Sequence, residues 1–264
     1  MQSTPWTNTL RQPFRDRALQ SNLGIPVLMD RAHDQENRVA IFEGDYTKQS
    51  EPWNYSHRAI EGLRHDWVIE QLELTGLMPG QRVLELGCSL GLMTEKLQKT
   101  GAEIFAMDLS ATAVAKARAR VGNAVHFLVA DASVLPFEDG LFERVLVCDG
   151  LFGWHLDEAT QAKVASEVLR VLKPGGTALF TDYIHHHAFY KVRNFVRDAG
   201  FKISGESFLG DRLWYQFASA FKAIESWKIV QKILSNRKIA IVLQKLARMV
   251  GAPGTRHIMV MGKK

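Results

Sequence analysis

Two glycines and two aspartates follow short apolar segments in the first half of the sequence, and their types suit a nucleoside ligand. Gly87 and Gly91 lie in the run VLELGCSLGLMT at 83–94. Glycine permits a tight turn and a close approach of the backbone to a ligand, and a helix that begins there offers free N–H groups. Asp108 and Asp131 follow the next two apolar segments. The first carboxylate can accept hydrogen bonds from both hydroxyls of a ribose, and the second can reach the exocyclic amine of a purine.

A nicotinamide-dependent oxidoreductase is the first alternative for such a turn. Its loop would read G-x-G-x-x-G, because the second glycine lets the backbone approach a pyrophosphate. Aligned on Gly87, that pattern requires glycine at 89 and 92, but the sequence has Ser89 and Leu92 there. The sequence therefore disfavours a dinucleotide cofactor.

Strands and helices alternate from Arg82 onwards, and this order places the glycines and acids together. The predicted strands are 83–86, 103–107, 125–129, 142–148 and 177–182, with helices at 92–99, 111–121 and 158–172 and a turn at 174–176. Such alternation predicts a parallel sheet with helices on both faces, whose ligands bind beyond the carboxyl ends of the strands. Ser56 is the predicted N-cap of an upstream helix. Further strands are predicted at 201–207 and 256–261, with a helical insertion at 212–250 between them.

The series of motifs at these strand ends resembles class I S-adenosylmethionine-dependent methyltransferases. The motifs are Glu85-x-Gly87, Asp108, Asp131-Ala132, Leu135-Pro-Phe137 and Leu172-Lys-Pro-Gly-Gly176, within residues 80–183. The resemblance implies S-adenosylmethionine as cofactor, with its ribose at Asp108 and its adenine between Asp131 and the backbone of Ala132. The implied cofactor-binding residues are Glu85, Gly87, Cys88, Ser89, Gly91, Asp108, Leu109, Asp131, Ala132 and Cys148.

The same resemblance implies the architecture. We expect an α/β fold, Rossmann-like and doubly wound, with a mostly parallel seven-stranded sheet. An N-terminal helical cover would occupy 1–78, and the cofactor-binding core 79–207. A helical insertion or lid at 208–255 would precede the last core strand and the tail at 256–264.

A narrower resemblance involves the loop and the segment upstream of it. GCSLG, together with Glu51-Pro-Trp-Asn-Tyr55 before the next helix, looks like nodulation-factor-type N-methyltransferases and related small-molecule enzymes. This implies that Trp53 or Tyr55 covers the cofactor and that Arg64 approaches its methionine carboxylate. The sequence beyond Asp182 departs from that subgroup, so the resemblance does not carry over a substrate.

Methyl transfer is an in-line displacement from a sulfonium, so its main requirement is alignment of the acceptor with the methyl carbon. A base is needed only where the acceptor must lose a proton. Our catalytic candidates after strands four and five are His155, Tyr183 and His186, although packing beside a helix is an equal alternative for His155. Consecutive side chains diverge, so at most two of the three histidines at 185–187 can face one pocket, and we expect no metal site. The wider candidate set is Asp149, Trp154, His155, Tyr183, His185, His186 and His187.

We therefore predict S-adenosylmethionine-dependent methyl transfer to the oxygen, nitrogen or carbon of a small, partly apolar metabolite. The alternatives are a lipid or prenyl-type acceptor at a membrane surface, and a non-catalytic cofactor- or RNA-binding module. Cys88 and Cys148 are expected to be small buried residues, since methyl transfer needs no covalent intermediate. The two cysteines, the polar N-terminal sequence and the absence of a long apolar run favour a cytoplasmic protein.

Basic residues are concentrated in the C-terminal fifth of the chain. The sequence has 33 Lys and Arg and 28 Asp and Glu, and residues 212–264 hold 11 of the basic residues and one acid, Glu225. We expect the apolar helical stripe in this segment to pack on the core. The alternatives are a lid, or a cationic surface for an anionic substrate or peripheral membrane contact through 212–250. Nucleic acid is disfavoured, because only Trp227 offers a stacking surface, and nothing indicates an oligomeric state. The stripe comprises Ile229, Ile233, Leu234, Ile239, Val242, Leu243, Leu246 and Val250.

Overall fold

A mixed sheet forms the centre of the computed structural model, which describes residues 5–12, 14–15, 27–28, 33–53, 55–152, 156–224 and 227–264. The strands are β1 (Val27–Leu28), β2 (Arg82–Leu86), β3 (Glu103–Asp108), β4 (His126–Ala130), β5 (Phe142–Cys148), β6 (Leu172–Tyr183), β7 (Lys202–Phe208) and β8 (His257–Lys263). Their order is β1-β4-β3-β2-β5-β6-β8-β7, and only β8 runs antiparallel to its neighbours. The predicted α/β fold with seven mostly parallel strands is confirmed by β2–β8. A two-residue edge strand, β1, was not predicted.

Helices cover both faces of the sheet and continue into the N-terminal cover and the insertion. They are α1 (His33–Lys48), α2 (Ala59–Leu74), α3 (Leu92–Leu97), α4 (Ala111–Val121), α5 (Glu158–Val171), α6 (Phe189–Asp198), α7 (Arg212–Ser219), α8 (Lys228–Leu234) and α9 (Arg237–Met249). Short 3-10 turns occur at Pro5–Thr9, Tyr55–His57, Gln98–Thr100, His186–Ala188, Lys222–Ile224 and Ala252–Gly254.

Side-chain caps mark several helix starts. The Ser110 and Asp157 side chains accept hydrogen bonds from backbone N–H groups in the first turns of α4 and α5, and Asn236 does the same for α9. The predicted cap at Ser56 is wrong. α2 begins at Ala59, and Ser56 lies in the preceding 3-10 turn, where its backbone N–H and its hydroxyl donate to the Glu51 carboxylate.

Apolar side chains from alternate positions of each strand fill two separate cores. In β5, Val145 and Val147 enter the cluster on one face of the sheet, and Leu146 enters the cluster on the other. This alternation follows from the two-residue period of a strand, and burial on both faces explains the continuous apolar runs in the sequence.

β6 starts earlier than the sequence indicated. Its pairing with β5 shifts register between Phe142–Leu172 and Arg144–Thr177, so the Pro174-Gly175-Gly176 segment forms the irregular first part of the strand. Gly175 takes a φ of 77°, which suits glycine, and its N–H donates to the carbonyl oxygen of Lys264. The predicted separate turn is therefore part of β6.

The insertion packs on the N-terminal cover. Trp214, Val230, Leu234 and Ala240 form a buried cluster with Ile60 and Leu63 of α2. The predicted apolar stripe is only partly correct. Leu234 is buried and Leu243 packs against the same cluster, whereas the exposed members are Ile229, Val242, Leu246 and Val250. The buried side of α9 instead carries Ala240, Gln244 and Ala247. Among the residues that the structure describes, no helix has the length and apolar character needed to cross a bilayer.

Candidate functional site

A cavity of about 850 Å³ opens at the carboxyl ends of β2 to β6. Its walls are the turns after these strands, together with side chains of α1, α2, α7 and β8. The carboxyl ends of parallel strands meet at one edge, so residues distant in sequence share this cavity. At one end, beside β2, β3 and β4, the lining residues suit a nucleoside, and we call this the nucleoside end. At the other end, beside β5, β6 and β8, charged side chains line the cavity, and we call this the charged end.

The turn after β2 is tied to β3 by its backbone. The N–H groups of Gly87 and Cys88 both donate to the carbonyl oxygen of Met107 at 2.9 Å. Gly87 has a φ of 77°, is exposed to the cavity, and would have no atom within 4 Å of an added Cβ. The turn is therefore rigid on its sheet side and open on its cavity side, which permits close approach of a ligand.

Asp108 is fixed between two backbone donors. Its Oδ2 accepts from the Ser89 N–H at 2.9 Å, and its Oδ1 accepts from the Ser110 N–H at 3.0 Å. Burial raises the pKa of this carboxyl, although the hydrogen bonds act in the opposite direction. Each carboxylate oxygen keeps a further lone pair for a ligand hydroxyl.

Asp131 also lines the cavity, but its side chain already has partners. Oδ1 accepts from the N–H and hydroxyl of Ser133, and Oδ2 forms an ion pair of 2.7 Å with Arg38 of α1. Burial would raise the pKa of Asp131, but the hydrogen bonds from Ser133 and Arg38 lower it. An adenine amine would therefore share this carboxylate with Arg38.

Glu85 stands at the floor of the cavity. Its side chain is buried and accepts a hydrogen bond from the Thr94 hydroxyl at 2.7 Å. Burial raises the pKa of Glu85 to about 7, so this group is partly protonated near neutral pH.

α1 covers the nucleoside end of the cavity. The sequence predicted a helical cover over 1–78 but did not predict this helix. The Tyr46 hydroxyl donates to Ser89 Oγ at 2.6 Å, and the Glu43 carboxylate accepts from the Ser110 hydroxyl at 2.6 Å. Lys116 of α4 donates to the carbonyl oxygen of Tyr46 at 2.7 Å. Glu43 thus places a negative charge at the N-terminus of α4, where the helix dipole favours it.

Charged side chains from α2, from the turn after β5 and from β8 meet at the other end. Arg64 is buried, with Nε at 2.8 Å from Glu61 Oε2 and Nη1 at 2.7 Å from Asp149 Oδ2. Its guanidinium also lies 5.5 Å from the centre of the Tyr55 ring. A cofactor carboxylate would therefore compete with two acidic side chains for Arg64.

His257 lies between two aspartates. Its Nδ1 bonds to Asp211 of the insertion, and its Nε2 lies 3.7 Å from Asp149 Oδ2. Burial would lower the pKa of His257, but the charges of Asp211 and Asp149 raise it to about 10. Burial would likewise raise the pKa of Asp149, but Arg64 and His257 lower it to about 2. The histidine is thus held as a cation and Asp149 as an anion.

Asp149 presents one free oxygen in this cluster. Its Oδ1 is buried without a hydrogen-bond partner among the described residues, while Asp149 itself lines the cavity. Tyr183 packs edge-on against His257 and Tyr215, with ring centres 5.2 and 4.9 Å apart. The Tyr215 hydroxyl donates to Glu61 at 2.7 Å. Asp149 can therefore hold a polar group of a ligand, and the tyrosine rings of the protein provide an apolar wall beside it.

Comparisons with known proteins agree on the kind of domain. Residues 83–176 match the family model described as a methyltransferase domain. The demethylmenaquinone methyltransferase of Renibacterium salmoninarum is 32% identical over 124 residues, covering 47% of this chain and 50% of that protein. A ubiquinone/menaquinone biosynthesis C-methyltransferase of Ectopseudomonas mendocina is 34% identical over 132 residues, covering 46% and 49%. The chain thus spans about half the length of the curated relatives it matches.

The fold comparison shows that this architecture also occurs in a known methyltransferase. The N-methyltransferase NodS of Bradyrhizobium japonicum, solved with S-adenosylhomocysteine, has a TM-score of 0.57 and 14% identity, covering 87% of this chain and 96% of that one. Residues 83–176 therefore match a methyltransferase domain, and the chain has the fold of a class I, S-adenosylmethionine-dependent methyltransferase. These findings agree with the predicted resemblance.

The structure brings most of the predicted site residues to the cavity. Two of them do not reach it: Gly91 packs under α4, and His186 lies in the turn before α6, outside the cavity wall. His155 lies outside the described residues. Those that line the cavity are Trp53, Arg64, Glu85, Gly87, Cys88, Ser89, Asp108, Leu109, Asp131, Ala132, Cys148 and Tyr183.

Sequence reasoning missed several residues of the cavity wall. Arg38, Tyr46, Glu61, Tyr215 and His257 all line the cavity. No motif joins them, since Tyr215 and Glu61 are 154 residues apart in the chain. Of the described residues, no group of three or more His, Cys, Asp or Glu is arranged to hold a metal ion.

Proposed function

We propose that this chain transfers a methyl group from S-adenosylmethionine to a small, partly apolar acceptor. The observation that carries this proposal is the shared cavity of the open Gly87–Ser89 turn and the Asp108 and Asp131 carboxylates. The family match supports the cofactor, and the exposed Gly87 leaves room for it. Bound S-adenosylmethionine supplies an electrophilic methyl group on a sulfonium.

The chain's own residues bind and orient the reactants. Asp108 accepts hydrogen bonds from the ribose hydroxyls, while Asp131 and Ala132 hold the adenine end. Trp53 and α1 exclude water from above the nucleoside. Alignment of the two reactants accounts for most of the rate, because the displacement is in-line and needs no covalent intermediate.

Asp149 is proposed to hold the acceptor. Its free Oδ1 accepts a hydrogen bond from a hydroxyl or N–H group, and Tyr55, Tyr183 and Tyr215 supply an apolar surround. A carboxylate with a pKa near 2 is a weak base, so we assign Asp149 to orientation rather than to proton removal.

A hydroxylated aromatic ring is the acceptor that fits this end best. It offers a hydrogen-bond donor to Asp149 and an apolar body to the tyrosines. The two curated relatives are named for menaquinone and ubiquinone methylation, which supports the same class. Amines that carry an N–H group are the second candidate, since Asp149 accepts from them equally.

Calorimetry with S-adenosylmethionine and S-adenosylhomocysteine tests the cofactor half of the proposal. Asp108→Asn and Asp131→Asn should each weaken binding about tenfold or more, equivalent to about 1.4 kcal/mol. Asp198→Asn, an exposed aspartate at the end of α6, is the matched control and should bind as wild type does. Failure of the wild type to bind, or equal binding by all four proteins with normal melting temperatures, would sink the proposal.

Labelled methyl groups test the acceptor half. The protein is incubated with methyl-deuterated S-adenosylmethionine and a metabolite extract, and the labelled products are identified by mass spectrometry. Asp149→Asn should lower product yield about tenfold or more while the affinity for S-adenosylhomocysteine changes less than about threefold. The control is Asp139→Asn, whose side chain is exposed. Labelled RNA as the sole product would contradict a small acceptor.

A further inference from the structure

α9 exposes large apolar side chains of a kind that a surface helix normally buries. The side facing the protein carries Ala240, Gln244 and Ala247. The solvent side carries Val242, Leu246 and Met249, which are 56, 48 and 84% exposed. A helix on a globular domain ordinarily buries its larger apolar side chains and exposes polar ones. Packing on the core therefore explains Ile241 and Leu243, but it does not explain the exposed Val242, Leu246 and Met249.

Exposed large apolar side chains also occur just before α8, within it, and directly after α9. Trp227, Ile229 and Val250 are exposed, whereas Val230 and Leu234 of α8 are buried against α2. Exposed large apolar side chains thus come from three consecutive parts of the insertion. We call them the outer face: Trp227, Ile229, Val242, Leu246, Met249 and Val250.

Basic side chains lie beside the outer face, and this part of the sequence has no acidic residue. The sequence from Trp227 to Lys264 contains no Asp or Glu. Lys228, Lys232, Lys238 and Lys245 are exposed, and none of them has an ion-pair partner among the described residues. Lys238, Val242, Lys245 and Met249 are spaced by four, three and four residues, so they project from one side of α9.

We propose that the outer face docks on the surface of an anionic lipid bilayer. Aliphatic side chains insert between headgroups, and unpaired lysines beside them attract negative lipids, which is the pattern of an interfacial helix. Nucleic acid fits less well, because aliphatic side chains do not stack on bases. This inference is independent of the proposed function. α9 packs against α2 and α7, which line the cavity, so a docked bilayer would lie one helix layer from the site.

Co-sedimentation with large unilamellar vesicles tests this surface. The vesicles contain phosphatidylcholine alone or with about one quarter phosphatidylglycerol, at low salt and at about 0.5 M NaCl. We expect the wild-type chain to sediment with the anionic vesicles at low salt. Neutral vesicles or high salt should lower the bound fraction about fivefold or more.

Paired variants separate the apolar and the charged contributions. Leu246→Ser/Met249→Ser and Lys238→Gln/Lys245→Gln should each reduce vesicle binding about fivefold or more. The controls, Leu74→Ser/Met78→Ser and Lys99→Gln/Lys191→Gln, change exposed residues elsewhere and should bind as the wild type does. Melting temperatures and calorimetry with S-adenosylhomocysteine verify that every variant is folded.

Three results would overturn the proposal. The first is no sedimentation of the folded wild type with anionic vesicles. The second is equal loss of binding in the control variants, which would mean that net charge or general hydrophobicity is responsible. The third is that the outer face binds another partner and not vesicles. Sedimentation velocity would then show self-association of the chain, or the chain would bind a single-stranded RNA. In either case the outer-face variants would lose that interaction.

Discussion

Asp149 adopts a backbone conformation that few non-glycine residues take. Its φ is 54°, and its N–H donates to the carbonyl oxygen of Thr181 at 2.9 Å. Aspartate tolerates the left-handed region better than most residues, yet the conformation still costs about 1 kcal/mol. It turns the carboxylate between Arg64 and His257, where Oδ2 lies near both and Oδ1 is buried without a partner among the described residues. Backbone strain at this position thus coincides with the residue we assign to acceptor binding.

The charged state of His257 should make stability depend on pH. Its pKa in the folded chain, about 10, exceeds the ordinary 6.5, so the stabilisation is complete below pH 6.5 and is lost as the pH rises towards 10. The maximum effect is about 5 kcal/mol, because each pKa unit corresponds to about 1.4 kcal/mol. Tyr183 and Tyr215 also face His257, but burial raises the pKa of both phenols.

His257→Gln tests this dependence. We expect the variant to be less stable than the wild type at pH 6.5, with the difference shrinking as the pH approaches 10. Thermal unfolding followed by circular dichroism across this range measures it. His57→Gln, at an exposed histidine in the turn before α2, should keep the wild-type pH profile. A constant difference between wild type and His257→Gln would mean that His257 is neutral in the folded chain.

Individual site residues were predictable where local sequence encodes them. Gly87, Asp108 and Asp131 follow recognisable strands, so their position at one edge of the sheet could be inferred. Asp211 and His257 could not be paired, because they lie 46 residues apart and their contact depends on how the insertion returns to β8. An isolated aspartate and histidine carry no local signal for such a contact.

At the level of elements, Gly91 shows how the turn after β2 fixes α3 against α4. An added Cβ would lie 3.0 Å from Ala117 Cβ and 3.2 Å from Val121 Cγ2, and the φ of 77° is itself unfavourable for alanine. Gly91 therefore has a packing role, unlike Gly87, which faces the cavity.

Gly91→Ala and Gly80→Ala form a matched pair that isolates this packing. Gly80 has nearly the same backbone conformation, with a φ of 80°, but no atom lies within 4 Å of an added Cβ. We expect Gly80→Ala to cost about 1 kcal/mol and Gly91→Ala about 1–3 kcal/mol more, as overpacking typically does. Urea denaturation measures both, and a double-mutant cycle with Ala117→Gly should recover part of the excess. Equal costs at the two glycines would show that α4 accommodates the methyl group.

Helices and strands were predicted well where a segment is buried along its whole length. They were predicted poorly where contacts with other parts of the chain determine whether the element forms. β2 to β5 and α4 match the predicted bounds within one residue, because strands buried on both faces leave apolar runs. α1 was missed, since its sequence has weak apolar periodicity. Its stability comes from contacts of Glu43 and Tyr46 with the turns beneath it.

Across the whole molecule, the insertion is joined to the core by both packing and polar contacts. Trp214 and Leu234 share a buried cluster with Ile60 and Leu63, and Tyr215 donates to Glu61. Asp211 holds His257 of β8. The insertion therefore supplies part of the cavity wall, and we expect the chain to unfold as one unit.

Two tryptophans of the insertion test this cooperativity. Trp214 is 1% exposed and Trp227 is 59% exposed. Trp214→Ala should destabilise the chain by about 3–5 kcal/mol, and Trp227→Ala by no more than about 0.5 kcal/mol, since only the first leaves a cavity. Urea denaturation followed by circular dichroism gives the costs, and hydrogen exchange of the amides in β2 to β5 reports on the core. Faster exchange throughout those strands in Trp214→Ala is the expected result, because loss of the cluster weakens the common folded state. Wild-type protection in β2 to β5 together with lost protection in α7 to α9 would instead make the insertion an independently folding unit.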